Sequence, residues 1–138
     1  MTDNELKEYM KNCGMTLQHL GMLVKDIPKT QETMSVLPGI GEWFNSLDVN
    51  LSKERNFVGN SCKFSAVCTK LFDEIVIELV EPDMEHCKGT IFEDYFKNNE
   101  GGLHHYSCAV SKHENFRVIM EELQKRGYEV VLHATEDN

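Results

Sequence analysis

Apolar and polar positions recur with different periods along the chain, and each change of period marks an element. Residues 3–13 predict a short helix that Gly14 ends. The apolar run LQHLGMLV, residues 17–24, has the length of a strand. In DIPKTQETMSVLPGIG, Pro28 suits a first helical turn, and Met34 and Leu37 lie three apart on one face before the PGIG break. EWFNSLDV, residues 42–49, reads as a second strand, and residues 50–61 as a polar connection. CKFSAVCTKL (62–71) and DEIVIELVEP (73–82) are strand-like runs about a short Phe72-Asp73 turn, which predicts a hairpin.

The segment 83–102 reads as a connection with one helical stretch, TIFEDYFKNN, ended by Gly101 and Gly102. LHHYSCAV (103–110) then predicts a strand, 112–126 a helix, and YEVVLHA (128–134) a last strand. In that helix Phe116, Ile119, Met120 and Leu123 follow the i, i+3, i+4, i+7 spacing of a core face.

A comparison of the chain with itself organises these elements. At an offset of 86 residues, the stretch 17–43 lies over 103–129 without a gap. Leu17 meets Leu103, His19 meets His105, and Val24 meets Val110; Met34, Leu37 and Gly41 meet Met120, Leu123 and Gly127. Six identities in 27 positions are few, but they respect the boundaries of a strand, a helix and the turn after it. The pattern is that of a duplicated strand–helix–strand module.

Composition narrows the class. A chain of 138 residues with 41% hydrophobic and 27% charged positions is long enough for one domain with a core and too short for two. A formal charge of −9 without a basic stripe argues against nucleic acid as partner. The first residues, MTDNELKEYMKNCG, look like neither a signal peptide nor a membrane anchor, so no membrane partner is expected. Five cysteines without a C-x-x-C pair (Cys13, Cys62, Cys68, Cys87 and Cys108) suit small buried free thiols in a reducing cytoplasm. Neither Cys62 nor Cys68 carries a sign of the exposed, low-pKa thiol that redox chemistry needs.

The doublet His104-His105 raises the question of chemistry, because successive side chains of a strand point to opposite faces. The repeat pairs His105, not His104, with His19, so His104 is expected on the other face in a structural role. Two imidazoles on related strands begin a divalent-metal site. A catalytic site needs a further protein ligand and an open position. In DEIVIELVEP, Ile75, Ile77 and Leu79 share one face, and Glu78 shares the other with Val76 and Val80. Such a carboxylate either faces solvent on a one-sided sheet or is paired, protonated or bound to a cation.

The stretches HLGMLVKDIPKTQETMSVLPGIGEW, IVIELVEP and EGGLHHYSCAV…MEELQKRGYEVV resemble the vicinal oxygen chelate superfamily, methylmalonyl-CoA epimerases and bacterial glyoxalase I above all. They span most of residues 17–132, and their order and spacing are more specific than any one of them. The resemblance implies an α+β fold of paired βαβββ modules cupped around a divalent metal (Ni, Co, Mn or Zn). It implies metal ligands at His19, Glu78 and His105, and a small-molecule carbonyl or thioester substrate whose enolate is stabilised. Residues 1–138 then form a single domain: an N-terminal helix (1–14), module 1 (15–82), a connecting segment (83–102) and module 2 (103–138).

Two departures accompany the resemblance. Adding 86 to the strands at 62–80 places their counterparts at about 148–166, so the second module is expected to lack its last two strands and, near position 164, the fourth ligand. The first-module strand that carries a second catalytic glutamate in the epimerase has no acidic residue between Glu54 and Asp73. A missing end, a contribution from a partner chain or from the acidic tail TEDN, and a binding-only relative each account for this; the missing end is the preferred reading. An unpaired sheet edge predicts partial disorder, strand exchange or a homodimer.

The function expected is a metal-dependent isomerase or lyase with Glu78 as the one retained carboxylate able to serve as base. A non-catalytic binding module on the same fold is the alternative. Trp43 and Phe44 are read as core before pocket, the 83–102 segment with Phe92, Tyr95 and Phe96 as a packed connection before a lid, His86-Cys87 as surface loop, and His113 and His133 as solvent-facing.

Overall fold

Residues 1–51 and 61–132 are described by the computed structural model. His133, the end of the expected last strand, the TEDN tail and most of the 50–61 connection lie outside the described residues. The elements run α1 (Asp3–Asn12), β1 (Thr16–Leu23), α2 (Ile27–Met34), β2 (Ile40–Leu51), β3 (Cys62–Leu71), β4 (Ile75–Pro82), α3 (Ile91–Phe96), β5 (Gly102–Ala109) and α4 (His113–Lys125). This is a mixed α+β fold. The five strands form one sheet in the order β2-β3-β4-β1-β5. β1 runs parallel to β4, and β3 is antiparallel to both β2 and β4.

The chain builds two compact units, a smaller one from Met1–Gln18 and Ser107–Val130 and a larger one from the described residues of His19–Tyr106 and Val131–Asn138. In the smaller unit α1 starts with a capping box, in which Thr2 and Glu5 satisfy each other's backbone amides. The Tyr9 hydroxyl donates to Asn115 of α4 at 3.0 Å. Arg126 donates to Asp3 at 2.8 Å and to Glu122 at 2.9 Å. Arg126 first, and then Lys125, hold the Glu122 carboxyl below its usual pKa. These pairs let Glu122 lie buried beside Ile119, whereas Phe116, expected in the core face, is 40% exposed and stacks on exposed His113.

The larger unit has an apolar cluster on each face of the sheet. Leu23, Ala66 and Val80 pack with Cys62, Cys87 and Phe92 on one face, joined by Tyr95 and Phe96. The 83–102 segment is therefore a packed connection with α3 laid on the sheet. Val67, Ile77 and Leu79 pack with Val24 and Met34 on the other face, with Trp43 against them. Asp26 caps α2, and Glu81 of β4 accepts the Ile27 amide at 2.7 Å, which ties the helix start to the sheet.

Residues 72–74 connect β3 to β4 through a β-turn centred on Phe72 and Asp73, whose φ angles of 53° and 56° are left-handed and whose closing bond runs from the Glu74 amide to the Leu71 carbonyl at 3.1 Å. The buried Thr69 hydroxyl is shared between the carbonyls of Gly41 and Glu42, 3.1 Å from each, where β2 breaks register with β3. Thr69 thus satisfies carbonyls that the ladder leaves there.

Three expectations need correction. Helix α2 ends at Met34 rather than running to Leu37, because Pro38 disfavours helical backbone in the residue before it; Leu37 lies half exposed in the following turn. Residues 128–132 form no strand, having no ladder partner among the described residues, although Leu132 packs on the core. Only Cys62, Cys68 and Cys87 are buried: Cys13 caps the exposed end of α1, and Cys108 lies exposed on the end strand β5.

Candidate metal centre

Register decides which side chains of the larger unit meet. Gly21 of β1 lies beside Glu78 of β4, and His19, two residues earlier, shares the face of Gly21. Cys68 of β3 lies opposite Glu78 on its other side. Leu23 and Val80, one step further along the same face, are covered by the cluster that contains Phe92 of α3. The face therefore changes from apolar and covered to polar and accessible within one pair of residues.

His19, Glu78 and His105 come together at the accessible end. One donor atom from each lies within 4.8 Å of the other two, and all three residues are half-buried. His19 Nε2 is 3.4 Å from Glu78 Oε1, and the His19 and His105 rings meet edge-on with centroids 5.7 Å apart. A Cβ on Gly21 would fall inside the Nε2 side of the His105 ring. Glycine is thus required for a close approach at that point, and it lets the imidazole of β5 lean across β1 towards the carboxylate.

Burial first, then the neighbouring His104 and His19, lowers the His105 pKa, so the ring is held in the neutral form that binds a metal. Two imidazoles and a carboxylate with the remaining directions open form a donor set for a divalent transition metal. The residues present fit such an ion: the donors converge, the ring is neutral, and Gly21 makes the room. Solvent-facing Glu78, the alternative left open by strand alternation, does not hold, since 21% of its side chain is accessible and it faces His19.

Two neighbours of the triad, Cys68 and His104, were given no part in it by sequence reasoning. Cys68 is buried, and burial, followed by the charge of Glu78, raises its pKa. Counting back from a two-residue Phe72-Asp73 turn places it opposite Ile77; the loop of residues 72–74 shifts the register by one and brings it opposite Glu78. His104, expected on the other face, has its Nδ1 2.8 Å from Nδ1 of His105. Among the described residues β5 ends the sheet and no outer strand confines His104, whose ring packs against Tyr95 and Phe92 at 5.3 and 6.0 Å. The aromatic spacing of IFEDYF is the signal that could have predicted this.

Other residues lie apart from the triad or serve packing. Trp43 is half-buried core, while Phe44, opposite Cys68, is exposed. His86 is exposed and bonded to Asp83 at 2.8 Å, but its neighbour Cys87 is fully buried rather than in a surface loop. Two open hollows of about 400 and 670 Å³ lie at the Lys63 end of β3, and neither is lined by His19, Glu78 or His105.

Residues 18–138 match the family model described as the glyoxalase/bleomycin resistance protein/dioxygenase superfamily. Methylmalonyl-CoA epimerase from Mycobacterium tuberculosis is similar in structure, with a TM-score of 0.54 and 15% identity over 80% of this chain and 63% of the other. A triple mutant of 4-hydroxymandelate synthase from Streptomyces coelicolor gives a TM-score of 0.52 and 14% identity over 78% of this chain and 31% of the other. The chain thus spans less than two thirds of the length of either. No curated protein matches it significantly.

Proposed function

The chain belongs to the glyoxalase/bleomycin resistance protein/dioxygenase superfamily, the vicinal oxygen chelate group, and we propose from that premise that it is a metal-dependent isomerase or lyase acting on a small carbonyl or thioester substrate. The observation that carries this reading is the convergence of His19, Glu78 and His105 at the open end of an otherwise apolar sheet face. These three residues would hold a divalent ion of the Mn, Co, Ni or Zn type. When bound, such an ion supplies Lewis-acid stabilisation of negative charge developing on a carbonyl oxygen.

The chain's own groups do the rest. The apolar cluster around Leu23, Val80 and Phe92 excludes water from one side of the site and strengthens electrostatic interactions beside it. Glu78, the one retained carboxylate, would serve as the base that takes a proton from a carbon next to the carbonyl. We take residues 1–138 as one domain of two related modules, on the strength of the 86-residue repeat. We further propose a homodimer: β5 ends the sheet, and its Leu103 and Tyr106 are 65% and 71% exposed. No helix among the described residues is long and apolar enough to cross a membrane, and the five free cysteines support a cytoplasmic setting.

Metal analysis tests the reading. The protein incubated with Mn, Co, Ni or Zn and desalted is expected to retain about one ion per chain, and His105→Ala to retain none while keeping its circular dichroism spectrum. In heavy water the loaded protein should exchange the α-proton of an acyl thioester, or convert a hemithioacetal. A chain that retains none of the four metals yet binds an acyl thioester would be a binding module, and the proposal would fail.

A further inference from the structure

We propose that His104 is a positioning residue, which fixes the tautomer and the aim of His105 through the contact between their Nδ1 atoms. The inference rests on the reading of His19, Glu78 and His105 as a metal centre. At 2.8 Å, one Nδ1 carries a proton and donates it, and the other accepts. The Nε2 side of the His105 ring lies over Gly21, the register neighbour of Glu78. An imidazole that ligates through Nε2 keeps its proton on Nδ1. His105 is therefore the donor, His104 Nδ1 the acceptor, and the proton of His104 sits on its Nε2.

His104 is itself held. Tyr95 meets its ring edge-on at 5.3 Å and Phe92 lies at 6.0 Å, so α3 fixes the acceptor that fixes the ligand. Gly102 allows the Tyr95 hydroxyl to approach: a Cβ there would lie 3.3 Å from it, at a φ of 139° that side chains rarely adopt. Partners of this kind orient a ligating histidine and raise its basicity, and their loss weakens metal binding about 10–100-fold. Adjacent residues of a strand seldom serve one site from opposite starting directions. Here the end position of β5 permits it.

The test uses the full chain and two variants. His104→Leu keeps the bulk and removes the acceptor; His104→Asn keeps an acceptor oxygen near the Nδ1 position. Long-range nitrogen–proton correlation spectra of the metal-free protein report the His105 tautomer directly. We expect the proton on Nδ1 in the parent chain and in His104→Asn, and a tautomer mixture in His104→Leu. Zinc affinity, measured against a chelator, should fall about 10–100-fold in His104→Leu and stay within about threefold in His104→Asn.

A parent His105 protonated on Nε2, or a His104→Leu variant with the parent's tautomer and affinity, would overturn the proposal. If the parent chain binds no zinc but the tautomer still shifts in His104→Leu, the metal reading fails and the positioning role stands.

Discussion

Leu23 and Gly21 lie two residues apart on one face of β1, beside Val80 and Glu78 of β4, and their surroundings have little in common. Leu23 is fully buried in the cluster that includes Phe92 of α3, and Val80 is 2% exposed. Glu78 keeps a fifth of its side chain accessible and faces two imidazoles. The strands are equally regular at both ends, so the difference comes from what covers them. At the Leu23 end α3 excludes water; at the Gly21 end a missing Cβ lets His105 fold over. The comparison teaches that a site can be cut into a core by one glycine and one charged residue, without any change of backbone.

The largest break in this comparison comes from its covered end. Leu23→Ala is expected to destabilise the protein by about 2–5 kcal/mol, as truncations at fully buried positions do. Denaturant melts measure it directly. The fraction that stays folded should still bind metal, because Leu23 touches none of the donor groups' functions. A variant that kept its stability would mean that the two ends are not packed differently after all.

Gly21→Ala acts at the other end and sharpens the contrast. The added methyl would occupy the His105 ring, yet what it meets is the far end of a side chain rather than backbone. The ring can swing aside, so the stability cost is expected near the low end for overpacking, about 1 kcal/mol. The metal affinity should drop by at least about tenfold, since His105 leaves the triad. Isothermal titration with zinc, paired with a melt, separates the two numbers. Equal losses of stability and affinity would show that Gly21 is there for packing alone.

How much of this was legible beforehand follows the range of the interactions. The 86-residue repeat paired His19 with His105, strand alternation left Glu78 between solvent and a partner, and only the family resemblance joined the three; the hairpin about Phe72-Asp73 was local enough to read. Burial of Glu122 was not, because it depends on Arg126 and on the amino terminus, 3.7 Å away in space and at the far end of the chain. The part played by Gly21 depends on how closely β5 approaches β1, which no single stretch of sequence states. His104 went astray for the same reason. Alternation fixes the direction of a Cβ, whereas an end strand leaves the ring free to turn towards aromatic partners from α3.

The smallest expected effect is on pH dependence, and it divides the molecule along the same line. Burial pulls the pKa of both His104 and His105 below the ordinary value of 6.5. Below that value the unfolded chain binds protons that the folded rings resist, so stability falls as the pH drops from 6.5 through the folded values and levels off beneath them. Glu122, in the smaller unit, is also lowered, from 4.5, chiefly by Arg126. Its contribution is present above 4.5 and is lost as the pH falls through its folded value. Stability of the metal-free protein should therefore decline in two windows, an upper one that opens below 6.5 and a lower one that opens below 4.5. His104→Asn should shrink the upper one only, by removing one of the two half-buried rings. Glu122→Gln should shrink the lower one only, since Glu5 and Glu100 are lowered as well, and melts at pH 7, 5.5 and 3.5 would follow both. If His104→Asn left the upper window intact, His105 alone would account for it.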